Sequence, residues 1–213
     1  MLSIPGELLH PILLLLAYLL GSISGSLLLG RLRGVDIRTQ GSGNAGGTNA
    51  LRTQGWRFAL GVVLVDIGKG LLAVWLARQL GAPDWLQAGV VIAAVVGHVW
   101  PIYHGFRGGK GAATLVGGLL LLWPLALPWL LSAWLLILLL TGYVGLATVL
   151  ASWCLVPLSL VGTDGAGFAW CWFALVAAGL LSFTHRSNLK RLMAGTENRF
   201  ERARLLHRWL GRH

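Results

Sequence analysis

The sequence has few charged residues, and very few of them are acidic. Only 11% of its 213 residues are charged, with 7 Asp and Glu against 17 Lys and Arg, whereas a soluble domain carries roughly 25% charged residues. The hydrophobic share is 56% and the mean hydropathy is +0.73. Composition therefore predicts an integral membrane protein of one domain over residues 1–213, with 185–213 as a basic C-terminal segment and any chemistry within or against the membrane.

Several motifs of known enzyme classes are absent. The chain has no HExxH zinc motif and no Gly-x-Ser-x-Gly nucleophile turn. It also lacks the His-x4-Asp pair of the common glycerolipid acyltransferases and the Asp-rich motif of nucleotide-activated alcohol phosphotransferases. Its two cysteines, Cys154 and Cys171, lie in apolar runs without a CxxC spacing, so we expect buried, inert side chains.

The basic residues form a few short segments between apolar runs. A soluble protein with the net charge of +10 would suggest a nucleic-acid partner. In a membrane protein, such segments set the topology, contact anionic lipid headgroups or bind an anionic substrate. We therefore expect lipid and small anions, and no nucleic acid, as partners.

Apolar runs predict the membrane spans, since a helix needs about 20 apolar residues to cross the hydrocarbon core. The region 112–142 is apolar but contains Pro124 and Pro128, and it is too long for one straight helix and short for two. The clear candidates are 8–29, 58–80, 86–103, 144–162 and 167–184.

The distribution of Lys and Arg predicts the orientation of these spans. Segments rich in Lys and Arg are expected in the cytoplasm and connections without them outside: 31–57, 104–110 and the tail from His185 inside, 81–85 and 161–167 outside. An odd number of crossings must then separate residue 110 from residue 164. Three crossings give an all-α bundle of seven transmembrane helices, some short or tilted, with the N-terminus outside and the C-terminus in the cytoplasm. Five spans with a re-entrant hairpin in 112–142 are the alternative.

A first polar segment runs from Gly41 to Arg52 and is rich in glycine. Its Gly-x-Gly-x-x-Gly spacing lacks the preceding strand that a dinucleotide site requires. Glycines still free backbone N–H groups, and a helix starting near Thr48 would favour an anion at its N-terminus. A flexible polar loop is the alternative, but its amide and arginine side chains suit specific binding better. The candidate ligands here are Ser42, Gly43, Asn44, Gly46, Gly47, Thr48, Asn49 and Arg52.

A second polar segment runs from Gly97 to Thr114 between two apolar runs. Its Gly-Gly-Lys-Gly fails the P-loop pattern, because His104 stands at the first glycine position and Gly111 follows the lysine. No nucleotide hydrolysis is implied. The segment offers Lys110 as a charge for phosphate and Gly108 and Gly109 as backbone donors, beside Arg107 and Gly111. His98 is either part of this site or a packed histidine making one hydrogen bond.

Two further groups of polar residues complete the candidates. After the last apolar run, a helix would place His185 and Asn188 on one face with either Arg191 or Leu192. A basic helix lying on anionic lipid explains the cations there, but not the His and Asn or the nearby Glu197. Inside the second span, Asp66 and Lys69 are three residues apart and could pair. Structural pairing and a role toward the substrate are both open for that pair.

The order and spacing of these motifs resemble the bacterial acyl-phosphate:glycerol-3-phosphate acyltransferases, the PlsY family, over essentially the whole chain. The family implies a seven-helix enzyme of the bacterial cytoplasmic membrane with its active site facing the cytoplasm. It moves a fatty acyl group from acyl phosphate to the 1-hydroxyl of glycerol 3-phosphate, without metal or nucleotide cofactors. The resemblance rests on Gly41–Asn49 with Arg52, Asp66–Gly70, Gly97–Gly111, and His185–Asn188 with Arg191, Gly195 and Glu197.

The resemblance supports one division of roles among these residues. It implies that glycerol 3-phosphate is held by Ser42, Arg52, Lys110, His185 and Asn188. The glycine loops 43–47 and 108–111, with Asn44, Thr48, Asn49 and Arg107, would cradle the acyl phosphate. Supporting positions would be His98, Asp66, Lys69, Arg191 and Glu197. The general base is open between His185 and the phosphate of the acyl donor.

A transporter for a phosphorylated solute is the main competing function, because broken helices and anion loops suit that class as well. A lipid-binding scaffold is a weaker alternative. No inverted repeat is visible, and the polar segments are predicted on one face of the membrane rather than at its middle. Both observations favour an enzyme, which we expect to be a monomer.

Overall fold

In a computed structural model, which describes residues 6–161 and 167–200, every regular element is helical. No strand occurs in those ranges, so the all-α prediction is confirmed. The helices are α1 (Gly6–Gly21), α2 (Gly25–Leu32), α3 (Gly47–Gln54), α4 (Trp56–Gln79), α5 (Asp84–Val99), α6 (Ala112–Leu122), α7 (Ala126–Thr141), α8 (Val144–Trp153), α9 (Leu155–Leu160), α10 (Gly167–Thr184) and α11 (Arg186–Met193), with short 3-10 turns at Ile37–Thr39 and Ile102–His104.

The chain packs as two compact units, Met1–Pro124 and Leu125–His213. In the first unit, α4 packs against α6 and α1 packs against α5. In the second, α8 packs against α7 and α10. Each unit therefore has its own helical core, and the candidate residues 42–111 all belong to the first while His185, Asn188, Arg191 and Glu197 belong to the second.

Glycines let the helices of the first unit approach closely. A Cβ atom added to Gly21 of α1 would collide with the carbonyl of Ala94 in α5, and one added to Gly97 would collide with the carbonyl of Tyr18. Gly70 of α4 stands in the same relation to Thr114 of α6. Small residues at helix contacts are the usual means of close packing in a membrane, where the hydrophobic effect does not drive helices together.

The helices match most of the predicted spans. Trp56–Gln79 and Asp84–His104 are each long and apolar enough to cross a membrane. The region 112–142 forms two helices, α6 and α7, as the sequence predicted, with Pro124 in the break between them. The predicted span 144–162 is divided into α8 and α9 around Cys154.

The prediction of one continuous helix over 8–29 is wrong. The chain breaks between Gly21 and Gly25, and the segments Leu8–Gly21 and Gly25–Leu32 meet at 44°. Such a break exposes backbone groups that must find partners away from lipid. In this protein the backbone groups at the break form hydrogen bonds with charged side chains of α4.

The prediction that both cysteines are buried is also wrong, since Cys154 and Cys171 are each partly exposed. An apolar residue of a membrane protein can be covered by lipid instead of protein, so an apolar run does not predict burial within the fold.

Candidate active site

Asn49 organises the first glycine-rich loop. The side chain is only 1% exposed. Its Oδ1 accepts a hydrogen bond from the Ser42 backbone N–H at 2.9 Å. Its Nδ2 lies 3.2, 3.0 and 3.1 Å from the carbonyl oxygens of Ile37, Gln40 and Asn44. The side-chain amide of Asn49 therefore forms its hydrogen bonds within the protein, and residues 37–44 fold around it.

The loop turns its polar residues outward around this amide. Ser42 and Gly43 are exposed, and Asn44 and Thr48 are partly exposed. Gly43 has a φ of 71°, a conformation that glycine adopts without strain. Helix α3 begins at Gly47 with no side-chain cap from Gly46, which confirms the helix start predicted near Thr48. The uncapped first turn of α3 is favourable for an anion.

Gly109 brings the second loop against the first. A Cβ atom placed on Gly109 would lie 2.8 Å from the carbonyl oxygen of Ala45 and would collide with Nε2 of His98. Gly109 itself is buried, whereas Lys110 is half-buried. Two loops about 60 residues apart in sequence therefore meet at one point of the first unit. Lys110 follows Gly109 in the second loop, and Arg52 lies in α3, the helix that follows the first loop.

The predicted role of Gly108 and Gly109 as backbone donors to a ligand is wrong for this conformation. The Gly108 N–H donates to the carbonyl of Val99 at 3.1 Å, and the Gly109 N–H donates to the carbonyl of His98 at 3.1 Å. Both donors are used to fold the loop back onto the end of α5. Glycine is required there by close packing, which sequence spacing does not distinguish from ligand binding.

An ion pair that the sequence analysis missed ties the segment 101–107 to the first loop. Arg38 pairs with Asp36 through Nη2 and Oδ2 at 2.8 Å, and its Nη1 donates to the carbonyls of His104 at 3.0 Å and Arg107 at 3.4 Å. The hydrogen bond from the Arg38 guanidinium lowers the pKa of the Asp36 carboxyl below its usual value. The pair therefore stays ionised at neutral pH, and it holds the backbone that carries the exposed Arg107 side chain.

A buried ionic cluster lies beneath the second loop. Asp66, Lys69 and His98 are 2%, 5% and 3% exposed. Lys69 Nζ lies 3.0 Å from Asp66 Oδ1 and 2.7 Å from His98 Nδ1. Of the two roles left open for Asp66 and Lys69, the structure shows the pairing, and His98 joins it.

The cluster supplies the partners of the broken first span. Lys69 Nζ donates to the carbonyl of Ile23 at 2.9 Å, and the Gly25 N–H donates to Asp66 Oδ1 at 3.1 Å. Both backbone groups belong to the break between α1 and α2, where helical partners are missing. The charged pair in α4 thus stabilises a kinked helix in an apolar environment.

The second unit carries the remaining candidates around α11. Glu197 accepts hydrogen bonds from Asn188 Nδ2 at 2.6 Å and from Arg191 Nε at 2.7 Å. Asn188 and Arg191 therefore share a face, as predicted, and Glu197 orients both. Gly145 of α8 makes room for them, since a Cβ atom there would lie 2.8 Å from Cβ of Asn188.

The orientation of His185 follows from its backbone contact. Its ring is 6% exposed, and Nδ1 lies 2.8 Å from the carbonyl oxygen of Leu181. A carbonyl oxygen only accepts, so Nδ1 carries a proton and donates it. In the neutral ring the unprotonated nitrogen is then Nε2, which is the basic position of this histidine.

The described residues hold no group of three or more His, Cys, Asp or Glu side chains placed to bind a metal ion. The residues assigned to substrates from the sequence are cations, amides, hydroxyls, glycines and the imidazole of His185, whereas the carboxylates of Asp66 and Glu197 are paired with cations. The assigned groups suit a phosphate-containing substrate.

The family profile described as glycerol-3-phosphate acyltransferase matches residues 11–195. A relative of that name from Thermus thermophilus is 46% identical over 191 residues, which are 89% of this chain and 95% of the relative. Another from Pseudomonas aeruginosa is 45% identical over 190 residues, 89% of this chain and 98% of the relative.

The crystal structure of PlsY (YgiH), an integral membrane glycerol 3-phosphate acyltransferase, has the same fold. Its glycerol 3-phosphate form superposes with a TM-score of 0.81 at 34% identity, covering 90% of this chain and 95% of that one. Its lysophosphatidic acid form gives the same score. The family match extends through both glycine-rich loops, the buried cluster and α11. The chain belongs to the glycerol-3-phosphate acyltransferase family, and it is an integral membrane acyltransferase of phospholipid biosynthesis.

Proposed function

We propose that the protein transfers a fatty acyl group from acyl phosphate to the 1-hydroxyl of glycerol 3-phosphate, releasing 1-acyl-glycerol 3-phosphate and inorganic phosphate. The observation that carries the proposal is the meeting of two glycine-rich loops at Gly109 and Ala45, with Lys110 on the second loop and Arg52 on the helix that follows the first. Structures of PlsY described as the glycerol 3-phosphate and lysophosphatidic acid forms support the acceptor and the product.

The side chains divide between the two phosphate-bearing substrates in this proposal. Glycerol 3-phosphate is held by Ser42, Arg52, Lys110, His185 and Asn188. The acyl phosphate lies along residues 43–48, where Gly43, Asn44, Gly46, Gly47 and Thr48 face outward at the start of α3, with Arg107 and Gly111 near its phosphate. Asn49, Gly108 and Gly109 contribute by shaping the loops, because their polar groups are engaged within the protein.

The chemistry requires no covalent intermediate on the enzyme. Acyl phosphate is an activated mixed anhydride, so the glycerol hydroxyl can attack its carbonyl carbon directly. The new C–O ester bond forms, the bond between the carbonyl carbon and the bridging oxygen breaks, and phosphate leaves with the electron pair. The protein must orient the hydroxyl, accept or pass on its proton, and stabilise charge on the carbonyl oxygen and the departing phosphate.

Two groups can accept the hydroxyl proton. His185 presents Nε2 as its basic nitrogen, because Nδ1–H is engaged by the Leu181 carbonyl. The phosphate of the acyl donor is the other candidate, in a substrate-assisted reaction.

Replacing His185 with glutamine distinguishes these two bases. If imidazole is the base, kcat should fall by about 10²–10⁴-fold, the usual contribution of general base catalysis. If the donor phosphate is the base, His185→Gln should retain most of its kcat and change mainly KM for glycerol 3-phosphate. The kcat and KM of the wild type and of His185→Gln measure this directly.

We further propose a monomer in the bacterial cytoplasmic membrane, with seven crossings, the N-terminus outside and the active site facing the cytoplasm. The positive charge of segments 31–57 and 104–110 supports this orientation. With 11 residues, α6 spans about 16 Å along its axis, so it crosses only where the bilayer is locally thinned.

Cysteine labelling at Leu125 tests the number of crossings. Leu125 is 78% exposed between α6 and α7. In a background without Cys154 and Cys171, Leu125→Cys should react with a membrane-impermeant maleimide added outside intact cells. Asp84→Cys serves as the external control and Thr39→Cys as the internal one. Labelling of Leu125→Cys only after the cells are opened would support five spans with a re-entrant hairpin instead.

The acyl donor is tested with purified protein in a lipidic phase. Synthetic acyl phosphate with glycerol 3-phosphate should release inorganic phosphate, while acyl-coenzyme A offered in its place should give no lysophosphatidic acid. Arg52→Ala protein provides the inactive control. Efficient acylation from the thioester with none from acyl phosphate would overturn the proposed donor.

A further inference from the structure

The buried cluster of Asp66, Lys69 and His98 contacts two parts of the first unit: the break between α1 and α2, and the second glycine-rich loop. On one side it holds the break between α1 and α2 through Ile23 and Gly25. On the other side, the ring of His98 lies against Gly109. None of these three side chains belongs to the set assigned to the substrates above. The break in the first span accounts for the burial of Asp66 and Lys69, but not for that of His98.

The hydrogen bonds of the cluster suit a charged lysine beside a neutral histidine. An ammonium group has three donors and no acceptor, and Lys69 Nζ has three acceptors in reach: Asp66 Oδ1 at 3.0 Å, the Ile23 carbonyl at 2.9 Å and His98 Nδ1 at 2.7 Å. With Lys69 charged, His98 Nδ1 accepts from it at this shorter distance, while Asp66 Oδ1 lies 3.4 Å from Nδ1. The neutral ring then carries its proton on Nε2. The cluster then has one negative and one positive charge, as a site of low dielectric requires.

The imidazole fixed in this way sets the position of the second loop. A Cβ atom on Gly109 would meet both the ring of His98 and the carbonyl of Ala45 in the first loop, so there is no room for one. The backbone of His98 and Val99 also accepts the N–H groups of Gly109 and Gly108 at 3.1 Å each. The ring thus holds the backbone next to Lys110 and keeps it in register with the first loop.

We infer that His98 is a positioning residue: its ring contacts Gly109 and thereby places Lys110 against the first loop. Asp66 and Lys69 hold the ring of His98 in this position. The inference rests on the proposed function, because it assigns Lys110 to substrate phosphate. A displacement of a binding group by about 1 Å is enough to lower catalytic efficiency by about 10²-fold.

The substitution His98→Asn separates this role from folding. The amide oxygen can replace Nδ1 as the acceptor for Lys69, so the buried charges remain paired, but the shorter side chain leaves the space beneath Gly109 empty. We expect the thermal unfolding midpoint to stay close to that of the wild type. KM for glycerol 3-phosphate, the substrate assigned to Lys110, should rise by about 10-fold or more, with a smaller change in kcat. His104→Asn is the matched control, since His104 bonds to Arg38 and Pro101 through its backbone, and it should leave both constants unchanged.

A second pair of variants tests the contact between the ring and the glycine. Gly109→Ala should lose most activity, because its methyl group collides with His98. In the double variant Gly109→Ala/His98→Ala this collision is removed, and only the contact with the Ala45 carbonyl remains. The double variant should therefore be at least about threefold more active than Gly109→Ala alone, a non-additivity expected only for groups in contact.

The outcomes distinguish the inference from the proposed function. Unchanged KM values in folded His98→Asn, or a double variant weaker than Gly109→Ala, would overturn the positioning role. If Lys110→Ala itself leaves both KM values and kcat unchanged, the assignment of Lys110 to substrate phosphate fails instead. A raised KM in His98→Asn together with rescue in the double variant would support both.

Discussion

Replacing Arg52 or Lys110 with alanine is expected to abolish turnover while the folded protein remains. Lys110 lies on the second loop and Arg52 lies in α3, the helix that follows the first loop. Each is assigned to the phosphate of glycerol 3-phosphate. Arg52 is exposed at the last turn of α3, so its loss leaves no buried charge unpaired. Removing one preorganised donor to developing charge costs about 10²–10³-fold in kcat, and loss of ground-state phosphate binding adds to this.

The controls for these two variants are exposed cations that lie outside the candidate active site. Arg57→Ala removes an arginine next to Trp56 at the start of α4, where its guanidinium lies 5.4 Å from the indole ring. Lys190→Ala removes an exposed lysine of α11. Both controls should stay within about twofold of wild-type activity, since exposed charges contribute little by themselves. Near-normal turnover of Arg52→Ala or Lys110→Ala would contradict their assignment.

Arg52→Lys refines the first prediction. Lysine keeps the charge but lacks the planar fork that binds two phosphate oxygens at once. Activity between that of wild type and Arg52→Ala is therefore expected, with most of the loss in KM for glycerol 3-phosphate. Measurement of both constants in the same membranes decides whether charge alone is sufficient.

The second large effect is expected on stability, at Lys69. Lys69→Met leaves the Asp66 carboxylate buried at 2% exposure without its cation, and it removes the partner of the Ile23 carbonyl in the broken first span. Breaking one partner of a buried pair costs about 3–5 kcal/mol in the free energy of unfolding. Unfolding by denaturant in mixed micelles should show a loss of this size.

The double variant Asp66→Asn/Lys69→Met provides the control for this pair. With no isolated charge left, it should cost less than the sum of the two single variants, because residues in contact are not additive. Additive losses would show that the two groups act independently and would contradict the cluster described here.

The sequence predicts the helices well where apolar length is the deciding feature. Helices α4 and α5 begin at Trp56 and Asp84, close to the starts of the predicted runs 58–80 and 86–103, and the prolines of 112–142 correctly indicated two helices. The break at Gly21–Gly25 was missed, because serine and glycine occur in unbroken membrane helices as well. What allows the break is a charged pair far along the chain in α4, which no local pattern shows.

The candidate site was predictable as a set of residues but not as a set of roles. Glycine spacing located both loops, yet it could not show that the N–H groups of Gly108 and Gly109 are turned back toward α5. The abundance of polar groups located Asn49 and Glu197, but only tertiary contacts show that the first folds its own loop and the second orients its neighbours in α11. Sequence thus indicates where chemistry concentrates, and packing decides which groups face a ligand.

The most direct test of the central claim is the stoichiometry of the reaction with labelled glycerol 3-phosphate and synthetic acyl phosphate. Purified protein should form 1-acyl-glycerol 3-phosphate and inorganic phosphate in equal amounts, and neither product should form when one substrate is omitted. Release of phosphate without glycerol 3-phosphate, or acylation without release of phosphate, would contradict acyl transfer from acyl phosphate.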